Sequence, residues 1–120
     1  MFNIKDLLQA DLFDNELMIC KELLDKKFNR ASGAIAGVVL ERHLKEVCFK
    51  HNCIIPKKPH ISDLNDVLKK DNIYELDMFR RIQLLGDFRN LCDHDKGKEP
   101  TEDQISDLIS GTEKVIKTVF

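Results

Sequence analysis

Glycine and proline are scarce in this chain, at five and three among 120 residues. So few chain breakers exclude a fold of many short strands and tight turns, and they favour long helices. Long apolar runs are missing as well. The longest, Ala34 to Leu40, is far too short to cross a bilayer. The opening Met-Phe-Asn-Ile-Lys-Asp lacks the basic-then-apolar order of a secretory signal. A cytoplasmic protein with no membrane partner is therefore expected. Neither recognised kind of glycine-rich phosphate loop occurs, which removes the usual nucleotide cradles. A strong excess of one charge is absent too. With a formal net charge of −2 the whole molecule is no electrostatic magnet for nucleic acid.

What is present reads as one globular domain spanning 1–120. Hydrophobic residues make up 42% and charged residues 33%, well outside the composition of disordered chains. Charge is unevenly spread: Asp6, Asp11, Asp14 and Glu16 outweigh Lys5 near the start. Arg42, Lys45, Lys50, Lys57 and Lys58 outweigh Glu41 and Glu46 in the middle. That pattern suits a local phosphate site and equally suits ordinary solvated helix faces.

The four cysteines carry no sign of a disulfide framework. Cys20 follows Phe13 and Leu17 at helical spacing, Cys48 follows Leu44, and Cys92 follows Leu85 and Phe88, which marks small core residues. Cys48, His51 and Cys53, with Cys92 and His94 elsewhere, would be enough donors for zinc. Their irregular spacing lacks the paired ligands of a structural site, so no metal and no cofactor are expected.

Five helical segments are legible, and no segment alternates as a strand would. The first covers roughly 3–27, with Ile4, Leu7, Leu8, Leu12, Phe13, Leu17, Cys20 and Leu24 as apolar positions and Asp11 or Asp14 as a potential kink. The second runs from about Arg30 to Lys50, with Ala34, Ile35, Val38, Val39, Leu44, Val47 and Cys48 apolar. Gly33 and Gly37 on it let another helix approach closely. Pro56 and Pro59 make 51–60 an extended loop. Ser62 caps a short third helix, a fourth spans about Leu76 to His94, and Thr101 with Gln104 forms a capping box for the last. The expected architecture is an all-α bundle of about five helices.

The fourth helix carries the chemistry. At about 100° per residue, Ile82, Leu84, Leu85, Phe88, Leu91 and Cys92 share one broad arc. Arg80, Gln83, Asp87, Asn90 and His94 form a separate stripe, rich in side chains that make directional hydrogen bonds. Arg89 belongs to neither group. It sits at the apolar edge beside Ile82 and Gly86, where a guanidinium needs a partner. Glu41, at core-like spacing on the second helix, is a candidate for that partner, though a surface ion pair is its commoner fate.

Arg89-Asn90-Leu91-Cys92-Asp93-His94 matches the R-x4-H signature of the HEPN superfamily, with its frequent polar residue after the arginine. The order of two long helices, a proline-containing loop, a motif helix and a capped final helix is also similar to that superfamily. The resemblance implies a homodimer through the motif helices that cleaves RNA without metal, leaving a 2′,3′-cyclic phosphate and a 5′-hydroxyl. Arg89 would then bind the scissile phosphate and His94 would move a proton. Asn90, Asp87, Arg80 and Glu41 would support them or contact RNA. A toxin-like or defence-linked role, with a protein inhibitor or a nucleotidyltransferase-like partner, is implied as well. The tyrosine that follows the histidine in some members is absent, and Asp95-Lys96-Gly97 stands there instead. A non-catalytic helical dimer that binds a partner protein or RNA is the competing expectation.

One physical argument joins the residues to the dimer. Arg89 and His94 lie five positions apart, about 140° around a straight helix, so one helix does not aim both at one phosphate. A two-fold pair of helices would. Near a helix end, and between Asp93 and Asp95, His94 is favoured in its protonated form.

Overall fold

A computed structural model describes residues 4–93 and 98–120, and the side chains of all of these except 5–7, 9 and 10. The described residues form five helices: α1 (Ile4–Asp25), α2 (Asn29–Lys50), α3 (Ile61–Lys70), α4 (Leu76–Asn90) and α5 (Glu102–Thr118). Strands are absent among them. The chain is the expected all-α bundle.

α2 is its axle. It packs against each of the other four helices, whereas α1 meets only α2 and α5, and α3 meets only α2 and α4. Val39, Leu40, Leu44, Val47 and Cys48 of α2 are fully or almost fully buried, against Phe13, Leu17 and Cys20 of α1, Leu64 and Leu68 of α3, Ile82 of α4 and Ile105, Leu108 and Val115 of α5. Three helix ends close alike. Lys27, Asn52 and Asn72 adopt left-handed φ values of 69°, 56° and 61°. Beyond each, the amides of Phe28, Cys53 and Ile73 reach back to the carbonyls of Leu23, Cys48 and Leu68 at 2.9 Å. This is the Schellman closure, which pairs carbonyls that a helix otherwise leaves open. At the start of α5, Thr101 and Gln104 form the expected capping box, with bonds of 2.9 and 3.1 Å.

Four details differ from the sequence expectation. α1 runs unbroken through Asp11 and Asp14, and Ile4, Leu8 and Leu12 lie exposed. With only α2 and α5 as neighbours, α1 has one face covered, that of Phe13, Leu17, Cys20 and Leu24. On α2, Ala34 and Val38 are exposed, since they turn away from all four neighbours. The third helix is capped by His60 and not by Ser62; the His60 amide donates to Asp63 Oδ2 at 2.8 Å. α4 stops at Asn90 and not at His94. Tighter bonds follow it, from the Cys92 amide to the Arg89 carbonyl at 3.0 Å and from the Asp93 amide to the Asn90 carbonyl at 3.1 Å. His94, with 95–97, lies outside the described residues.

Polar groups inside the bundle are used as ties. Asn65, nearly fully buried, donates to the Phe79 carbonyl at 2.9 Å and accepts from the Tyr74 hydroxyl, which locks α3 to the start of α4. His43 lies edge-on to Phe13, with ring centroids 5.9 Å apart. Its Nε2 stands 2.7 Å from the Val119 carbonyl, which only accepts, so Nε2 carries the proton. Burial is the main reason the His43 pKa lies below its ordinary value; the Val119 bond opposes the shift, Lys50 adds to it and Glu46 opposes it. The unfolded chain therefore takes up this proton more readily than the folded one. Stability from this group is complete above about pH 6.5 and declines as pH falls below that. Thermal melts from about pH 8 to about pH 5 should show that decline, and His43→Gln, neutral throughout, should flatten it. Parallel profiles for the two proteins would remove His43 as the cause.

Candidate functional site

The end of α4 is placed by two glycines of α2. A Cβ on Gly37 would run into Cβ, Cγ and Cδ of Arg89, and one on Gly33 would meet Cys92 Sγ and Ile105 Cδ1. The bare backbone there is the seat for the Arg89 stem and the Cys92 thiol. The small-residue face expected to serve close packing is thus filled within the chain, so it offers no free surface for a dimer. Gly86 plays a gentler part on α4. A Cβ there would lie 3.4 Å from Ile61 Cγ2, so the first turn of α3 sits close against this face.

Between these elements opens a cleft of about 460 Å³. α4 lines it with Gln83, Asp87, Arg89 and Asn90, α3 with Ser62, Asn65 and Asp66, and α2 with Glu41; His60 and Asp93 complete its polar rim. The structure therefore brings together Arg89, Asn90, Asp87 and Glu41 of the expected site. Arg80 does not line the cleft and lies exposed elsewhere on α4. Glu41 is paired with Lys45 at 3.8 Å, not with Arg89. The Arg89 guanidinium instead meets Asp93 at 3.1 Å, with both side chains over 40% exposed. Such an exposed pair is worth only about 0–1 kcal/mol and yields readily to a stronger anion.

Arg30 is a residue the sequence did not single out. It stands at the start of α2 with a side chain 18% exposed. Its guanidinium donates to the carbonyls of Cys92 and Asp93 at 3.1 and 2.9 Å, to the Lys98 carbonyl at 3.3 Å and to Glu99 Oε2 at 2.9 Å. One planar fork thus holds the chain on both sides of 94–97. Such long-range pairing leaves no periodic trace. His60 was missed for a related reason: it is far from α4 in sequence, in a loop that reads only as extended.

Among the described residues that line the cleft, carboxylates outnumber cations. Glu41, Asp66, Asp87 and Asp93 stand against Arg89, with His60 as the second group able to carry positive charge. Cys20, Cys48 and Cys92 are buried as core residues. Burial pushes the Cys20 and Cys48 thiols up to about 11, and raises Cys92 mainly for the same reason. These are poor nucleophiles near neutral pH. His51, one of the weighed zinc donors, directs Nε2 at the Phe120 carbonyl, 2.8 Å away. Among the described residues no three His, Cys, Asp or Glu side chains are grouped to hold a metal ion.

No protein-family model, curated protein or solved structure matches this chain.

The two glycine positions make a matched test. Alanine normally stabilises a helix over glycine by about 1 kcal/mol. Gly37→Ala should instead destabilise the fold by about 1–3 kcal/mol, because the Arg89 stem has to leave its seat. Gly86→Ala meets only ordinary contact and should be neutral or mildly stabilising. Urea denaturation of both variants checks this, and equal stabilisation by both would remove the seat.

Proposed function

We propose that this chain is a metal-independent endoribonuclease acting as a cytoplasmic homodimer, with Arg89 and His94 as its phosphate-binding and proton-carrying residues. The observation that carries the reading is the placement of Arg89. Its stem is fixed against Gly37 while its guanidinium reaches a cleft, held there among the described residues by an exposed ion pair. A phosphate accepts two parallel bonds from such a fork and displaces Asp93. In the reaction the RNA 2′-oxygen attacks the neighbouring phosphorus, the bond to the 5′-oxygen breaks, and Arg89 offsets the charge that develops. Asn90 and Gln83, on the same wall, offer further hydrogen bonds to the nucleotide. A toxin-like or defence-linked setting, with an inhibitor or a nucleotidyltransferase-like partner, belongs to this proposal through the motif alone.

A second reading is favoured by one specific observation, the carboxylate surplus. Four acids around one arginine also suit a basic segment of a partner protein, held without catalysis.

Two measurements address the proposal. Static light scattering at micromolar concentration should give twice the monomer mass, and a monomer throughout would overturn the dimer. Mixed RNA incubated with the protein in a chelator should yield 2′,3′-cyclic phosphate and 5′-hydroxyl ends. Arg89→Lys keeps a stem for the Gly37 seat but loses the fork, so cleavage should fall by about 10²–10³-fold. His94→Ala should fall similarly, with melting temperatures near that of the parent in both. A parent protein that leaves RNA intact while binding basic peptides would establish the second reading.

A further inference from the structure

The cleft that Arg89 lines also holds a histidine that the R-x4-H motif does not contain. His60 caps α3, directly after the buried Pro59. Its own amide is tied to Asp63 at 2.8 Å. Close contact of Ile61 with Gly86 brings this first turn of α3 against α4, so His60 and Arg89 border the same space. We propose that His60 is the general base of the site, taking the proton from the RNA 2′-hydroxyl as that oxygen attacks the phosphate held by Arg89. The proposal rests on the ribonuclease reading above and deepens it.

The chemistry needs such a group. Forming the bond from the 2′-oxygen to phosphorus releases one proton, and breaking the bond to the 5′-oxygen consumes one. Two carriers serve the two steps best, and imidazole is the side chain suited to both near neutral pH. Taking up the proton makes His60 cationic. Glu41 of α2, Asp66 of α3, Asp87 of α4 and Asp93 share the cleft with it, with Arg89 as the opposing cation.

The test uses the full chain and two substrates: an RNA dinucleotide, and uridine 3′-(4-nitrophenyl phosphate), whose leaving group departs without a proton. His60→Asn retains a good helix cap, so it should melt close to the parent. His60→Gln serves as a second variant that also lacks the imidazole. Both should lose about 10²–10⁴-fold in dinucleotide cleavage. They should lose similarly on the nitrophenyl substrate, because a base is needed for either leaving group. The limb of the parent's pH–rate profile that rises with pH should vanish. A loss confined to the dinucleotide would overturn the base role. Variants as fast as an active parent would overturn this inference while leaving the ribonuclease reading intact. An inactive parent would overturn both.

Discussion

At Gly33 and Gly37 the backbone of α2 is bare where the end of α4 crosses it, and Cys92, Ile105 and the stem of Arg89 occupy the space that side chains would take. This close approach sets the rest of the site. Because α2 also packs on α1, α3 and α5, its position is fixed from several sides, and whatever rests on it inherits that rigidity. The cleft exists because α3 and α4, tied by Asn65, lean together on the same helix. Arg30 then fastens the chain after α4 back onto the start of α2.

The cleft combines two opposed electrostatic features. Its arginine invites an anion, and its four carboxylates repel one. Solvent screens the exposed groups at distances beyond roughly 8–10 Å, so the balance is decided by the contacts closest to the ligand. A phosphate seated on the guanidinium would displace Asp93, whose carboxylate is exposed and hydrated at little cost. The remaining acids would suit groups of positive charge.

Much of the fold was legible in the sequence because helices announce themselves by local rules. The capping box at Thr101, the glycine notch and the buried cysteines all follow from residues within a turn or two of one another. The periodic pattern failed where burial depends on distant neighbours. Ile4, Leu8 and Leu12 keep helical spacing, yet α1 has neighbours along one side only. α4 ends at Asn90 in tighter i→i−3 bonds, and Arg30, far away in sequence, takes the carbonyls of Cys92 and Asp93 beyond it. The site was legible to the same extent: Arg89, Asn90 and Asp87 share one helix end, whereas His60 arrives from another element. Arg80, which periodicity assigned to the stripe, lies exposed outside the cleft, although its neighbour Phe79 lines it.

Arginine at position 89 does two jobs that no other side chain does together. Its methylene stem fills the bare backbone of Gly37 as an apolar residue would, which explains a charged residue at the edge of the apolar arc. Immobilising a long side chain costs up to about 2 kcal/mol of rotamer freedom. Here packing during folding has already fixed the inner torsions, so a ligand that engages the fork has less freedom left to remove. A lysine has a comparable stem but a single point of charge, and it would lose the paired bonds to phosphate. Glutamine would keep hydrogen bonding and lose the charge. The glycine seat on α2 thus fixes the stem of the α4 arginine and leaves its guanidinium paired with the exposed Asp93.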